Sequence, residues 1–190
     1  MARPRAFDEV KVLDAAREQF AKTGYAATSL DDLMKATGLG KGSLYGAFGD
    51  KHQLFLRVLE GYCVDCVSGV RGVLDGPEPA ADRVRALVRG SASSATTRGC
   101  MLVNSTAELN ERDEDVQRKS RQAYGTVEDL LVVALDEARR DGDLKSGVDT
   151  RAQARVLVAV MQGMEFLAKT RLPADVLAQI ADTALANLFG

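Results

Sequence analysis

Cysteine, histidine and proline are all scarce in this 190-residue chain: three, one and four respectively. An odd, low cysteine count excludes a disulfide scaffold and fits a reducing compartment. A single histidine leaves little for general acid–base work. Neither H-E-x-x-H nor G-x-S-x-G occurs, so an enzyme is not expected. No apolar run approaches the ~18–20 residues that a bilayer span requires. The opening stretch, MARPRAFDEV, lacks the apolar segment of a secretory signal, and a cytoplasmic protein is expected. Two of the four prolines fall in "DGPEPA" (75–80), the one clear break in the chain.

Strong charge of one sign is also missing. Net charge is −2, with nine Lys/Arg and eight Asp/Glu in residues 1–60 against 16 and 19 in the remainder. That asymmetry is too small to identify a nucleic-acid binder, so the placement of the basic residues has to decide. What is abundant is apolar residues, at 46%, beside 27% charged, enough for a sizeable core.

Those apolar residues recur at helical spacing nearly everywhere. Val10, Leu13 and Phe20 share a face behind a candidate N-cap, Asp8, and Gly24 closes that helix. Thr28-Ser29 before Asp31-Asp32 resembles a capping box and opens a helix over roughly 29–37. A further short helix is expected over roughly 41–48, and Asp50 with Gln53 starts a long one running to about residue 72. Beyond the break, helices are expected over roughly 80–97, 100–110, 113–141, 150–170 and 174–188. No period-2 strand and no internal repeat is found. The fold class is therefore all-α, about nine helices. A small N-terminal unit (1–50) joins a larger bundle (51–190) through a shared helix.

"TGLGKGSLYGAFGDK" (37–51) packs five glycines into fifteen positions. A Walker A loop fails here, because position 35 is Lys and position 42 is Gly. The dinucleotide fingerprint fails from either Gly38 or Gly40, and both motifs need a preceding strand. Two short helices around a glycine-containing turn match a helix-turn-helix, whose second helix enters the DNA major groove. Gly42 and Ser43 at its start permit close approach to a duplex, while Lys41, Tyr45 and Lys51 supply phosphate or base contacts. The plain alternative is a surface helical hairpin with solvated lysines.

"GYAATSLDDLMKATGLGKGSLYGAFGDKHQLFLRVLE" (24–60) resembles the signature of the tetracycline-repressor (TetR) family of bacterial regulators. The likeness lies in Gly24-Tyr25, Thr28-Ser29, Ala36-x-Gly38, Gly42-Ser43-Leu44-Tyr45, Phe48, Lys51 and Leu54. It implies a homodimer with two helix-turn-helix heads on a double-stranded DNA operator. It also implies a C-terminal ligand-binding and dimerisation bundle from which a small molecule controls repression. Carried onto matching positions, Thr28, Tyr45 and Lys51 would hold phosphates, Lys41, Gly42, Ser43 and Gly46 would lie at the bases, and Ser29 would belong to the same DNA-binding set. Position 46 is often longer in the family, so glycine there thins direct readout. Arg3 and Arg5 are then expected to reach the minor groove as an arm, or else to form a basic tail.

In the bundle, Phe55, Leu59, Tyr62, Cys66, Met101, Asn104, Tyr124, Val127 and Phe166 are the candidate pocket residues, mostly apolar with a few polar groups. Cys63 and Cys66 form C-x-x-C on a helix, which argues against a thioredoxin-like site. A zinc site would have to recruit Cys100 and His52 as well, so no metal or other cofactor is expected. Cys100 opens a helix after Arg98-Gly99, a setting that can activate a thiol for redox or electrophile sensing; otherwise it is a small packed residue. The last two helices are broadly apolar. Val156, Val160, Gly163, Leu167, Leu177, Ile180 and Leu185 are expected at a two-fold subunit interface. The rival from another class is an all-α carrier or enzyme that does not bind DNA.

Overall fold

The computed structural model describes residues 7–109, 112–186 and 188–189; Arg3 and Arg5 lie outside them. Nine helices follow in order among these residues: α1 (Glu9–Thr23), α2 (Leu30–Thr37), α3 (Lys41–Phe48), α4 (Lys51–Leu74), α5 (Ala80–Ser94), α6 (Met101–Leu109), α7 (Glu114–Asp141), α8 (Thr150–Ala168) and α9 (Ala174–Leu185). The one extended pairing described is an isolated bridge between Leu144 and Phe189. None of the described helices is long and apolar enough to cross a membrane.

Local chemistry sets most boundaries. Asp8 accepts from the amides of Val10 and Lys11 and starts α1. Ser29 and Asp32 form a reciprocal capping box on α2, and the left-handed Gly38 ends it (φ 69°). Asp50 accepts from Gln53 N and starts α4. Sequence spacing overshoots several C-terminal ends: α5 stops at Ser94 and α9 at Leu185. Apolar periodicity does not register where a last turn unwinds, since no glycine or proline marks either place.

Two cores divide the molecule, and α4 contributes to both. Val12, Ala16, Phe20, Leu33, Leu44 and Phe48 from α1–α3 bury together with Leu54, Phe55, Val58 and Leu59 of α4. Met101 and Leu102 of α6 and Val116 of α7 join the same cluster. Phe55 is its wedge, edge-on to Phe20 at 5.1 Å and 4.8 Å from the Tyr25 ring. The second core draws on Leu74, the buried faces of α5, α7 and α8, and Leu177, Ala181 and Leu185 of α9. Arg83 spans part of it, donating to the Leu74 carbonyl and pairing with Glu137 at 2.6 Å.

A polar clasp holds α4 to α7. His52 Nε2 lies 2.7 Å from Asp113 Oδ2, while Asp113 Oδ1 caps α7 by accepting from Asp115 N and Val116 N at 3.1 Å each. Burial pushes the Asp113 carboxyl upward, but the His52 and backbone hydrogen bonds outweigh it and leave it below the ordinary carboxylate range. A group depressed in the folded state stabilises it above its unfolded pKa, and that contribution is lost as pH falls through the folded value. The difference in urea midpoint between wild type and Asp113→Asn should therefore be open at about pH 6 and close below about pH 4. A difference that stays constant over that range would show that the carboxylate's charge contributes nothing.

Candidate nucleic-acid interface and bundle cavity

The head presents α3 outward. Leu44 and Phe48 are buried, which leaves Lys41, Gly42, Ser43 and Gly46 exposed on the other side and Tyr45 half-buried. Gly40 caps α3 without any side-chain hydrogen bond, unlike Asp8, Ser29 and Asp50 at the other three helices of the head. The first amides of α3 therefore have no side-chain cap and belong to the exposed residues Lys41, Gly42 and Ser43, an arrangement suited to phosphate. A Cβ added at Gly42 or Gly46 would meet nothing within 4 Å. Packing therefore does not require glycine at either place. The Lys41 ammonium lies 6.0 Å from the Tyr45 ring and that of Lys51 4.4 Å from the Tyr25 ring.

Two of the expected DNA-binding residues have other work in the fold. Thr28 is buried, and its hydroxyl donates to Gly24 O and shares a 2.7 Å hydrogen bond with the Thr23 hydroxyl. Ser29 spends its hydroxyl on the capping box with Asp32. Both residue types favour loop and cap hydrogen bonds for the same reason that they favour phosphates, so sequence alone does not separate the two roles.

In the bundle, a cavity of about 330 Å³ opens between α4, α5, α6, α7 and α8. Of the residues expected there, it gathers Tyr62, Cys66, Tyr124 and Val127, and it adds Cys100. Leu59 is instead fully buried in the head's core. Phe55, Met101, Asn104 and Phe166 border a separate cleft between α1, α6 and α8. Asn104 is tied there by donating to Arg98 O and accepting from Lys169 Nζ. Helical spacing selects an inward face but not the core it turns toward. Gln162 and Glu165, which line the cavity, were not among the expected residues. Their signal was two polar residues three apart inside the apolar run "ARVLVAVMQGMEFLA".

The Tyr62 hydroxyl donates to Cys100 Sγ at 3.1 Å, and the Arg17 guanidinium of α1 lies 4.7 Å over the Tyr62 ring. Burial drives the Tyr62 phenol far above its ordinary range. It likewise pushes Tyr124 up to about 12 and Cys63 up to about 11, and raises Cys66. At the other end of α6, the Glu108 carboxylate accepts from the amides of Tyr25 and Ala26 at 3.0 and 2.7 Å. One short helix thus touches the cavity with its first turn and the head with its last.

The expected dimer residues separate as well. Leu177 and Leu185 are buried in the protomer's own core, because α9 turns that face onto α5 and α8. Val160, Leu167 and Ile180 are half-buried against the same core. Val156 remains 49% exposed, on a face of α8 that continues through Ala159 and Gly163 to the 53% exposed Phe166.

A three-helix head with an outward helix-turn-helix, rooted by one long helix in a larger helical bundle, is the architecture of a DNA-binding regulator. Residues 12–58 match the family profile of bacterial regulatory proteins, tetR family, and residues 80–183 that of the tetracyclin repressor-like C-terminal domain. The chain is 30% identical over 188 residues to the HTH-type transcriptional repressor ComR of Escherichia coli K12, spanning 96% of this chain and 90% of ComR. It is 28% identical to the uncharacterized HTH-type transcriptional regulator YezE of Bacillus subtilis 168, spanning 99% and 100% of the two chains. A cysteine mutant of the TetR-family regulator CifR, solved on 26-base-pair double-strand operator DNA, superposes with a TM-score of 0.85 at 31% identity, covering 97% of this chain and 98% of that one. The chain belongs to the TetR family. It is a DNA-binding transcriptional regulator rather than an enzyme, of a family that acts as dimers and binds small-molecule effectors.

Glycine inside a helix costs about 1 kcal/mol relative to alanine, and a Cβ added at Gly46 would meet nothing within 4 Å beyond its chain neighbours and its own helix backbone. Gly46→Ala should raise stability by about 0.5–1 kcal/mol in urea titrations while weakening operator binding. Higher stability with operator affinity unchanged would take Gly46 out of the interface.

Proposed function

We propose that this protein is a cytoplasmic repressor that holds a palindromic operator with α3 of two heads and releases it when a small molecule occupies the bundle cavity. The observation that carries the DNA contact is the division of α3. Leu44 and Phe48 anchor it, while Lys41, Gly42, Ser43 and Gly46 stand exposed beside amides without a side-chain cap. In this reading Lys41, Tyr45 and Lys51 meet phosphates, and Lys41 and Ser43 carry the side-chain readout. Residues 51–190 serve as the input and dimerisation domain. The α8 face through Val156, Gly163 and Phe166 meets its copy across the two-fold axis.

Two routes support communication between cavity and head. Tyr62 ties the cavity to α1 through Arg17, which also pairs with Asp65 at 2.6 Å. The α6 helix ties it to the α1–α2 loop through Glu108. A ligand that displaces Tyr62 or α6 changes the seat of the head, and hence the spacing of two heads on their half-sites. A coupling of about 1–3 kcal/mol changes operator affinity about 5- to 150-fold.

The test is a gel shift on the DNA upstream of the protein's own gene. Wild type should give a specific shift that weakens steeply with salt, and Tyr45→Ala should lose it while keeping its fold by circular dichroism. A full shift by Tyr45→Ala, or none by wild type, would overturn the assignment.

A second reading, input through the Cys100 thiol, is favoured by its place on the cavity wall, where the Tyr62 hydroxyl donates to its sulfur. Alkylating Cys100 with N-ethylmaleimide should then reduce operator affinity about tenfold or more, and Cys100→Ser should resist the reagent. Modification confirmed by mass spectrometry with unchanged affinity would remove the sensing role.

A further inference from the structure

The chemistry of the cavity wall narrows what can enter it; this step rests on the cavity being the effector site. Among the described residues, no lysine, arginine or histidine lines it, and Glu165 is the one carboxylate that does. Gln162 lies one turn before Glu165 on the same face of α8, and its side-chain Oε1 is fully buried with no hydrogen-bond partner among the described residues. A buried carbonyl left in that state is a vacant acceptor, and native interiors rarely tolerate one. Glu165 likewise makes no hydrogen bond or ion pair with the described residues. Burial alone raises its carboxyl above the ordinary range, with no neighbouring cation to offset it. Lys169, one turn on in the chain, donates to Asn104 Oδ1 at 2.6 Å.

The wall therefore brings together a glutamine whose buried carbonyl oxygen is unpaired, an uncompensated acid and two phenol rings, Tyr62 and Tyr124, around apolar side chains such as Val70, Leu87 and Met161. An anionic ligand would meet a carboxylate and a carbonyl with no donor cation to receive it. A purely apolar ligand would leave Gln162 unpaired. A protonated amine satisfies both groups and gains from the aromatic faces. We propose that the effector is a small lipophilic amine whose N–H donates to Gln162 Oε1, whose charge is countered by Glu165, and whose apolar body lies between α4, α5 and α7. At about 330 Å³ the cavity sits at the lower end of the ~300–1,000 Å³ typical of ligand pockets, which favours a compact molecule.

The test compares three probes with one apolar body, 4-phenylbutylamine, 4-phenylbutan-1-ol and 4-phenylbutanoate, by isothermal titration calorimetry on the full-length protein. The amine should bind about tenfold or more tighter than the alcohol, and the carboxylate weakest of the three. Glu165→Gln should weaken the amine about tenfold and leave alcohol binding within about twofold, which shows the cavity intact. The proposal is overturned if the carboxylate binds as well as the amine, if Glu165→Gln weakens amine and alcohol alike, or if none of the three binds. A gel shift with each probe separates this proposal from the one it rests on. Alcohol that frees the operator as well as the amine does would retain the effector site and refute the amine class. Amine selectivity with no change in operator affinity would retain the class and refute the regulatory role.

Discussion

The burial of Phe55 couples the two halves of this molecule. That ring enters from the second turn of α4 and packs on Phe20 and Tyr25, so the helix that begins the bundle also completes the core of the head. Removing such a ring from a close-packed interior typically costs about 3–5 kcal/mol, a large share of a domain's total stability. The head is therefore not an independent unit on a linker. Its hydrophobic interior continues along α4 to Leu59 and includes the first turns of α6 and α7. A close-packed interior transmits displacement rather than absorbing it, and a long stiff helix shared by two cores carries it furthest.

Upon that apolar frame the polar contacts select where motion can pass. Ion pairs such as Arg57–Glu9 and Arg98–Glu18 are exposed and individually worth little. The contacts at the ends of α6 differ because they engage groups with few alternatives. Glu108 receives two backbone amides of the loop before α2, and the Tyr62 hydroxyl meets the sulfur just ahead of the first turn. Both lie within reach of the cavity wall or the head, whereas the cleft bordered by Asn104 and Phe166 is held by hydrogen bonds of its own.

Most of the fold was legible from residue order. Caps at Asp8, Ser29 and Asp50 and the left-handed Gly38 are local devices, readable wherever the right residue stands beside an apolar period. The turn between α2 and α3, and the exposed residues of α3, followed from the same signals. The bundle was less legible because its candidate residues were chosen by facing inward, and inward has two meanings here. Leu59 faces the head's core, Leu177 and Leu185 face the protomer's own second core, and Tyr62, Tyr124 and Val127 face the cavity.

By itself, then, the sequence determined an all-α chain of about nine helices, the helix-turn-helix and the family resemblance, because capping, glycine conformation and apolar period act over a few residues. Only the tertiary structure decided that Thr28 is a core hydroxyl and that Gln162 and Glu165 line the cavity with no partner among the described residues. Those outcomes depend on which surfaces of distant helices meet. A helical period gives the direction of a side chain from its own axis and says nothing of what stands opposite.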